Sequence, residues 1–560
     1  MREWEVQMST RKWACLIAIL VLAVLLMAAG CGGSTTTTAA PATTVTTGGS
    51  TPATSAPTTT TAPAAAGTFT IAIQPQYTSF DPAHASEIDG MMVNYATYDT
   101  LVRAENGVIK PWVASSWETQ DGGKTYIFHL RNDVKFNSGA TLTADDVVFS
   151  FMRLKNVKGN PSYQLDPIAS AEAVDATTLK ITLTDVDASF LARIAVPTCA
   201  ISEAKVVKEH GGTMAADAST TDTAQAWLDT NSAGSGPYTL IEYVNKQQAV
   251  LQANKNYWGP DKPKFDKIVL KQIDDVNTQK LLLQKGEVDL AINLTAEQAK
   301  ELKTDASVKL SLASTLDFFH LVQNRSIDGP ASKPEVWQAV RYALDYEGLR
   351  TLCGEGTKTP YSVIPEGMLG AEPVNTATQD VAKAKDILSK AGLADGFTVD
   401  LEYPTLTIDG VDFALIAQKI QEDLSKVGIK LNLKGDEIGL FLDRMRSSKM
   451  PVAISMWGPD YPDPQSQMAF LPGGPAALHY AGWKAGADPA LEALGVQAAK
   501  ELDVTKRVAI LKQIQDTLVN EGPYVVWGQP TRYYGSTPKV DNVKTDPVFM
   551  IDLNALTKSS

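Results

Sequence analysis

Polar and apolar residues alternate along two clear stretches of the chain. In 124–131, Tyr126, Phe128 and Leu130 fall on one face, and in 178–184, Leu179, Ile181 and Leu183 do the same. A period of two marks strands with one buried face. Elsewhere the spacing lengthens to that of a helix. Thr143-Ala144-Asp145-Asp146 has the form of a capping box, and Val147, Val148, Phe151 and Met152 follow it as an inward face. Pro334 opens a second helix, in which Val336, Ala339, Val340, Ala343 and Leu344 recur at helical spacing. A third helix is expected over 380–391, stopped by Gly392. Strand and helix patterns interleave to the C-terminus with no repeat period, which predicts an α/β fold.

The N-terminal segment breaks this pattern. Arg2, Arg11 and Lys12 precede an apolar run from Trp13 to Ala29, short for a bilayer span but suited to the core of a secretory signal. The run ends in Ala28-Ala29-Gly30, followed by Cys31. This resembles the lipobox of bacterial lipoproteins, which implies cleavage before Cys31 and a lipid on its thiol. Residues 32–67 carry no charged side chain and are almost wholly Thr, Ala, Ser, Pro and Gly. Such a segment buries too little apolar area to offset chain entropy, so a disordered tether spanning roughly 30–35 Å is expected. With Cys15 and Cys31 accounted for, Cys199 and Cys353 either pair outside the cell or stay as buried thiols.

At 560 residues the chain exceeds the ~100–200 residues of one ordinary domain, so two or three lobes are expected. Its net charge of −13, with no Lys/Arg run, sets nucleic-acid binding aside. Catalytic motifs are missing too. Gly122-Gly123-Lys124-Thr125 lacks the first glycine of a phosphate loop, since Glu118 stands in its place. The five histidines are scattered without metal-ligand spacing, and Gly234-Ser235-Gly236-Pro237 reads as a turn. No enzyme, cofactor or metal is expected.

Several separated segments, in order, carry a resemblance. Lys110-Pro111-Trp112-Val113-Ala114-Ser115-Ser116-Trp117-Glu118 leads to 126–131, 134–139 and 142–150; then come Gly234-Ser235-Gly236-Pro237-Tyr238, Asn256-Tyr257-Trp258-Gly259 and 340–345. Trp457-Gly458-Pro459-Asp460-Tyr461-Pro462-Asp463-Pro464 follows. Together they resemble family 5 solute-binding proteins, the extracytoplasmic components of peptide/nickel-type ABC importers.

The resemblance implies a two-lobe, type II periplasmic-binding-protein-like fold with a hinged cleft and an extra subdomain. By it, lobe I takes about 68–104, 196–314 and 530–560, the extra subdomain about 105–195, and lobe II about 315–529. The chain then crosses between lobes near Thr315 and near Gln529. The ligand is a peptide, longer peptides being favoured because no cation stands in 403–409, where a dipeptide binder places one.

The same resemblance nominates site residues. Asp460 pairs with the ligand ammonium, beside Trp457 and Gly458. The facing strip of lobe I is Ala83–Glu87, with Ala83, His84, Ser86 and Glu87. Arg444 or Arg446 receives the terminal carboxylate, and His320 is a further candidate. The bland alternatives are that Asp460 caps the turn 461–464, that Trp457 is core, that the two arginines are a solvated helix end, and that His320 is a core histidine. Arg341 is expected to be structural, paired with an acidic neighbour. The implied partners are a permease with its ATPase and, through the lipid, the cell membrane; a monomer is expected. A different solute (metal chelate, haem or oligosaccharide) and a sensory role are the rival readings.

Overall fold

The computed structural model describes residues 67–75, 77–105, 107–375 and 378–559. The expected signal segment, Cys31 and nearly all of the tether lie outside them. Among the described residues no helix is long and apolar enough to cross a membrane.

The described strands assort into three main sheets. The first has seven strands in the order Lys309–Ser314, Thr531–Ser536, Leu290–Leu294, Thr68–Ile73, Lys267–Gln272, Gln248–Ala253 and Tyr238–Val244. Thr68–Ile73 lies at its centre, parallel to both neighbours. Its Phe69, Ile71, Ala72 and Ile73 are fully buried, as a strand covered on both faces requires.

The second sheet has five strands: Ile429–Asp436, Phe397–Pro404, Val452–Trp457, Phe318–Gln323 and Tyr524–Gly528. Phe397–Pro404 is parallel to Ile429–Asp436, and a parallel pair needs a crossover. The helix Phe413–Ser425 supplies it and buries Phe413, Ile416, Ala417, Ile420 and Leu424. The third sheet, Ala114–Gln120, Thr125–Leu130, Thr178–Leu183 and Ile168–Asp175, is antiparallel throughout. Its tight turn at Gly122 has φ +65°, which glycine adopts without strain.

The expected elements form. Tyr126, Phe128 and Leu130 are buried on one strand, and Leu179, Ile181 and Leu183 on the next. The Asp146 carboxylate accepts from both the N–H and the hydroxyl of Thr143, opening the helix Ala144–Val157. The inward face of that helix is shifted from expectation. Val148 and Met152 are half-buried, while Phe149 and Arg153 are buried, because Arg153 turns inward to two carboxylates. Pro334–Ala343 buries Val336, Ala339, Val340 and Ala343. Asp380 caps Val381–Lys390, and Gly392 follows at φ +75°. Cys199 and Cys353 are both free and buried, and burial pushes each thiol up to about 12.

Arg341 is structural, but not as expected. Its guanidinium donates to the carbonyls of Leu518, Gly522 and Tyr524, at 3.3, 3.1 and 2.7 Å. The helix Val504–Glu521 ends there, and the guanidinium bridges its last turn to the start of the strand Tyr524–Gly528. No acidic partner is involved among the described residues.

The chain passes between the first and second sheets twice. Lys309–Ser314 ends in one and Phe318–Gln323 begins in the other, and likewise Tyr524–Gly528 and Thr531–Ser536. The crossings lie side by side. Gln529 Nε2 donates to the Thr315 carbonyl at 2.7 Å, and Thr315 Oγ1 donates to the Pro530 carbonyl at 2.9 Å.

Candidate functional site

The central strand Val452–Trp457 runs out into the Pro-rich turn that carries Asp460. That turn is capped by Asp463, not by Asp460. Asp463 Oδ1 accepts from Gln465 N–H at 2.8 Å, and the buried Arg507 holds both oxygens at 2.8 and 2.6 Å. Asp460 is therefore free of the structural duty its neighbourhood offers.

Asp460 has no ion pair among the described residues; the Tyr163 hydroxyl bonds to it, and Arg193 lies near enough to be felt. Its side chain is open to water, yet burial by the surrounding protein raises its pKa above the ordinary carboxylate value, against the lowering pull of Tyr163 and Arg193. Both facts hold for a carboxylate facing a narrow, wet gap: water reaches it, but much of its hydration shell is replaced by protein. Tyr163 is pushed up in turn, by burial first and by Asp460 second.

Tyr163 sits on the short segment Asn160–Leu165, just after the helix Ala144–Val157. The same segment touches the Ala83–Glu87 strip. Asn160 Nδ2 lies 3.4 Å from Ser86 Oγ, and a Cβ on Gly159 would stand 2.1 Å from the Ala83 carbonyl oxygen, so only glycine allows this approach. The strip is shaped from behind by Asp81. Asp81 is fully buried, accepts from Ala83 N–H at 3.0 Å and from His84 Nδ1 at 3.1 Å, and takes both arms of Arg153 at 2.7 Å. Burial would raise its pKa, but the Arg153 bonds and charge override it and hold the carboxyl well below the usual range. Arg153 also binds Asp222, at 2.8 and 2.9 Å. Within the strip, Ala83 is buried, Ser86 is half-exposed, and Glu87 precedes the helix Ile88–Thr97 and accepts from Thr78 Oγ1 at 3.1 Å.

The other nominated residues divide. Trp457 is half-buried against Phe470, ring centroids 5.1 Å apart at 76°, and its buried indole N–H has no partner among the described residues. Gly458 is required by close approach, because a Cβ there would stand 2.2 Å from Asp317 Oδ1. Arg446 is exposed and makes no ion pair among the described residues. Burial raises the Tyr480 phenol, Arg446 lowers it and Asp460 raises it, which puts the three side chains in one neighbourhood. Arg444 instead binds Glu402, at 2.8 and 2.5 Å, and lies 3.4 Å from Asp436, so its charge is answered by two carboxylates of the second sheet.

His320 does not reach the gap. It is fully buried among Phe318, Phe470 and Tyr524, no side chain among the described residues bonds to its ring, and burial, against a weaker raising pull from the Phe318 backbone, pushes its pKa down to about 3. It is a neutral core histidine. Two residues that sequence reasoning missed, Asn160 and Tyr163, join the strip to Asp460; no periodicity or motif marks them.

A charge cluster lies beside the crossings. Arg532, from the first sheet, donates to Asp317 on the first crossing and to Asp409 on the hairpin of Thr407–Ile408 and Val411–Asp412, the latter at 2.7 Å. Next to it, a cavity of about 120 Å³ separates the ends of the first sheet's strands from that hairpin and from Met456. Among the described residues no group of His, Cys, Asp and Glu is arranged to hold a metal ion.

Known proteins match this chain along most of its length. A family model for the bacterial extracellular solute-binding proteins, family 5 (middle region), matches residues 108–477. Di/tripeptide-binding protein 1 of Pseudomonas aeruginosa is 27% identical over 496 residues, covering 84% of this chain and 90% of that one. The ABC transporter substrate-binding protein CtaP of Listeria monocytogenes has the same fold, with a TM-score of 0.78 at 22% identity over 89% of this chain and 100% of that one. So does the Helicobacter pylori periplasmic binding protein DppA, in complex with the peptide STSA, with a TM-score of 0.72 at 23% identity over 89% and 99%. These folds are of the two-lobe type II kind, and the family model spans well over half of the sequence. The chain belongs to family 5 of the bacterial extracellular solute-binding proteins, whose members serve ABC transporters and are not enzymes.

Proposed function

We propose that this protein captures a peptide between its two lobes and delivers it to the permease of an ABC importer, working as a monomer held to the cell membrane by a lipid on Cys31. Residues 68–104, 196–314 and 530–560 form lobe I, 105–195 the extra subdomain and 315–529 lobe II. Asp460 carries the reading. It is a water-accessible carboxylate with no cation paired to it among the described residues, partly stripped of hydration, at the meeting of three segments. A peptide α-ammonium supplies the missing counter-charge. Trp457 and the Ser86–Glu87 strip flank the bound backbone, and Arg446 receives the carboxylate of a peptide longer than two residues. The peptide named in the Helicobacter structure and the ligands named in the Pseudomonas relative support the choice of ligand class.

The test is calorimetric titration with tetrapeptides whose N-terminus is free or acetylated. Removing one member of a desolvated charge pair costs about 2–5 kcal/mol, so the acetylated peptide should bind about 30-fold more weakly or worse. Equal binding of the two forms would remove Asp460 from the site. Cys31→Ser should separately release the protein from the membrane fraction.

A further inference from the structure

The cavity of about 120 Å³ between the strand ends and the 407–412 hairpin has an unbalanced lining. Asp89, Asp409 and Arg532 line it, with Gln74 and Asn293 as neutral polar groups. Asp317 stands behind Arg532. Around Arg532, Asp317 and Asp409 thus set two carboxylates against one guanidinium.

Asp409 is the telling residue. Its side chain is 10% exposed; Oδ1 takes Arg532 Nε, while Oδ2 is buried with no N–H donor among the described residues, the Asp317 carboxyl being the group's other polar neighbour. It sits at φ +48°, followed by Gly410 at φ +78°, the conformation of an Asp-Gly hairpin turn that fixes where the carboxylate is presented. Asp317 reports the same imbalance: burial first, and Asp409 beyond what Arg532 offsets, raise its pKa to about 7. Two buried carboxylates around one cation share a proton unless a second cation arrives.

The rest of the lining says which kind of cation fits. Ile88, Met456 and Met550 give the cavity apolar walls, which suit an alkyl stem and offer nothing to a hydrated metal ion. The volume equals that of about four waters, comparable to a lysine side chain beyond Cβ. The cavity also adjoins the proposed peptide path, since Asp317, which stands behind Arg532, is the group against which Gly458 packs.

We propose that this cavity is a specificity subsite for the ammonium or guanidinium of a lysine or arginine side chain, so that the protein selects cationic peptides. The proposal rests on the peptide reading above. The incoming cation pairs with Asp409, the neighbouring Asp317 gives up its proton to solvent, and two cations then face two carboxylates.

The experiment walks a single residue through alanine tetrapeptides, comparing lysine with uncharged norleucine at each position by calorimetry at pH 6.5. At one position lysine should bind tenfold or more tighter than norleucine. Repeating the titration in buffers of different ionisation enthalpy should show the lysine peptide releasing more protons than its norleucine twin. Asp409→Asn keeps the turn and an oxygen for Arg532 but removes the charge, and should bring the lysine peptide down to the norleucine level. Equal affinities at every position, with equal proton release, would overturn the subsite and leave the peptide reading standing. A lysine preference that survives Asp409→Asn would also overturn it. Failure of every peptide to bind would overturn both.

Discussion

Gln529 and Thr315 tie the two interlobe crossings to each other through one side-chain amide. The Gln529 Nε2 that donates to Thr315 also donates to the Glu366 carbonyl at 3.0 Å, while Gln529 Oε1 accepts from Glu366 N–H at 3.0 Å. Every polar atom of this buried amide is engaged at the place where the lobes must pivot. Hinge closure around a ligand needs a few residues that absorb the rotation while the lobes stay rigid, and a tie of this kind keeps the crossings moving together.

Gln529→Ala would leave the carbonyl of the buried Thr315 without this donor, at about 1–3 kcal/mol. The melting temperature should fall, and X-ray scattering from the ligand-free variant should show a broader distance distribution than the original. Saturating peptide should shrink the radius of gyration of the original protein and raise its melting temperature by mass action. A variant identical to the original in scattering and melting would show the tie to be idle.

Asp81→Ala tests how the strip is held. Arg153 is buried and would lose its bidentate partner, keeping only Asp222. Breaking a buried pair from one side costs about 3–5 kcal/mol. Besides this loss of stability, amide exchange should rise at 83–87, since Ala83 N–H and His84 lose their acceptor, and peptide affinity should drop with it. Unchanged exchange at the strip would mean that Gly159 and Asn160 suffice to shape it.

Much of this fold is legible in the sequence because each element carries its own period. Tyr126, Phe128 and Leu130 need no tertiary information to be placed on one face. The site is different. Asp460 and Trp457 stand out because a turn-rich motif frames them, but Tyr163 and Asn160 lie on a short 3-10 turn whose position is set by Gly159 packing on the distant Ala83 carbonyl. Arg532, Asp317 and Asp409 are 215 and 123 residues apart in pairs and meet only through the hinge. Local pattern also misassigned a partner, since Arg341 found the carbonyls of Leu518, Gly522 and Tyr524 in place of an acid, whereas of the two roles open to Asp460 the turn cap belongs to Asp463.

His320 should make the second lobe acid-labile. Its folded-state pKa of about 3 lies below the ordinary 6.5 of histidine, so below pH 6.5 the unfolded chain takes up a proton that the folded chain refuses. Its contribution is intact above pH 6.5 and is lost as pH falls from there toward 3, by roughly 1.4 kcal/mol per unit. Between pH 7 and pH 5 the original protein should therefore lose roughly 2 kcal/mol more than His320→Leu. Parallel stability profiles of the two proteins would show that the imidazole is hydrated after all.

Asp460 should set the acid limit of peptide binding. In the ligand-free protein its pKa is raised, by burial above all, and a bound ammonium would pull it down again. The charged form is the one that binds. Affinity should accordingly be flat above the raised pKa and fall by up to tenfold per unit below it, at a higher pH than an ordinary aspartate with its pKa near 3.9 would allow. Peptide binding in that range should release a proton. Asp460→Asn keeps the shape and an acceptor for Tyr163 but cannot titrate, so its affinity should be roughly 30-fold lower at neutral pH and insensitive to acidification over the same interval, with the melting temperature of the empty protein unchanged because Asp463 carries the turn. A norleucine-containing peptide should be used throughout, so that Asp317 contributes nothing to the profile. If the acid limit persists unchanged in Asp460→Asn, the titrating group is elsewhere and the ammonium site must be moved with it.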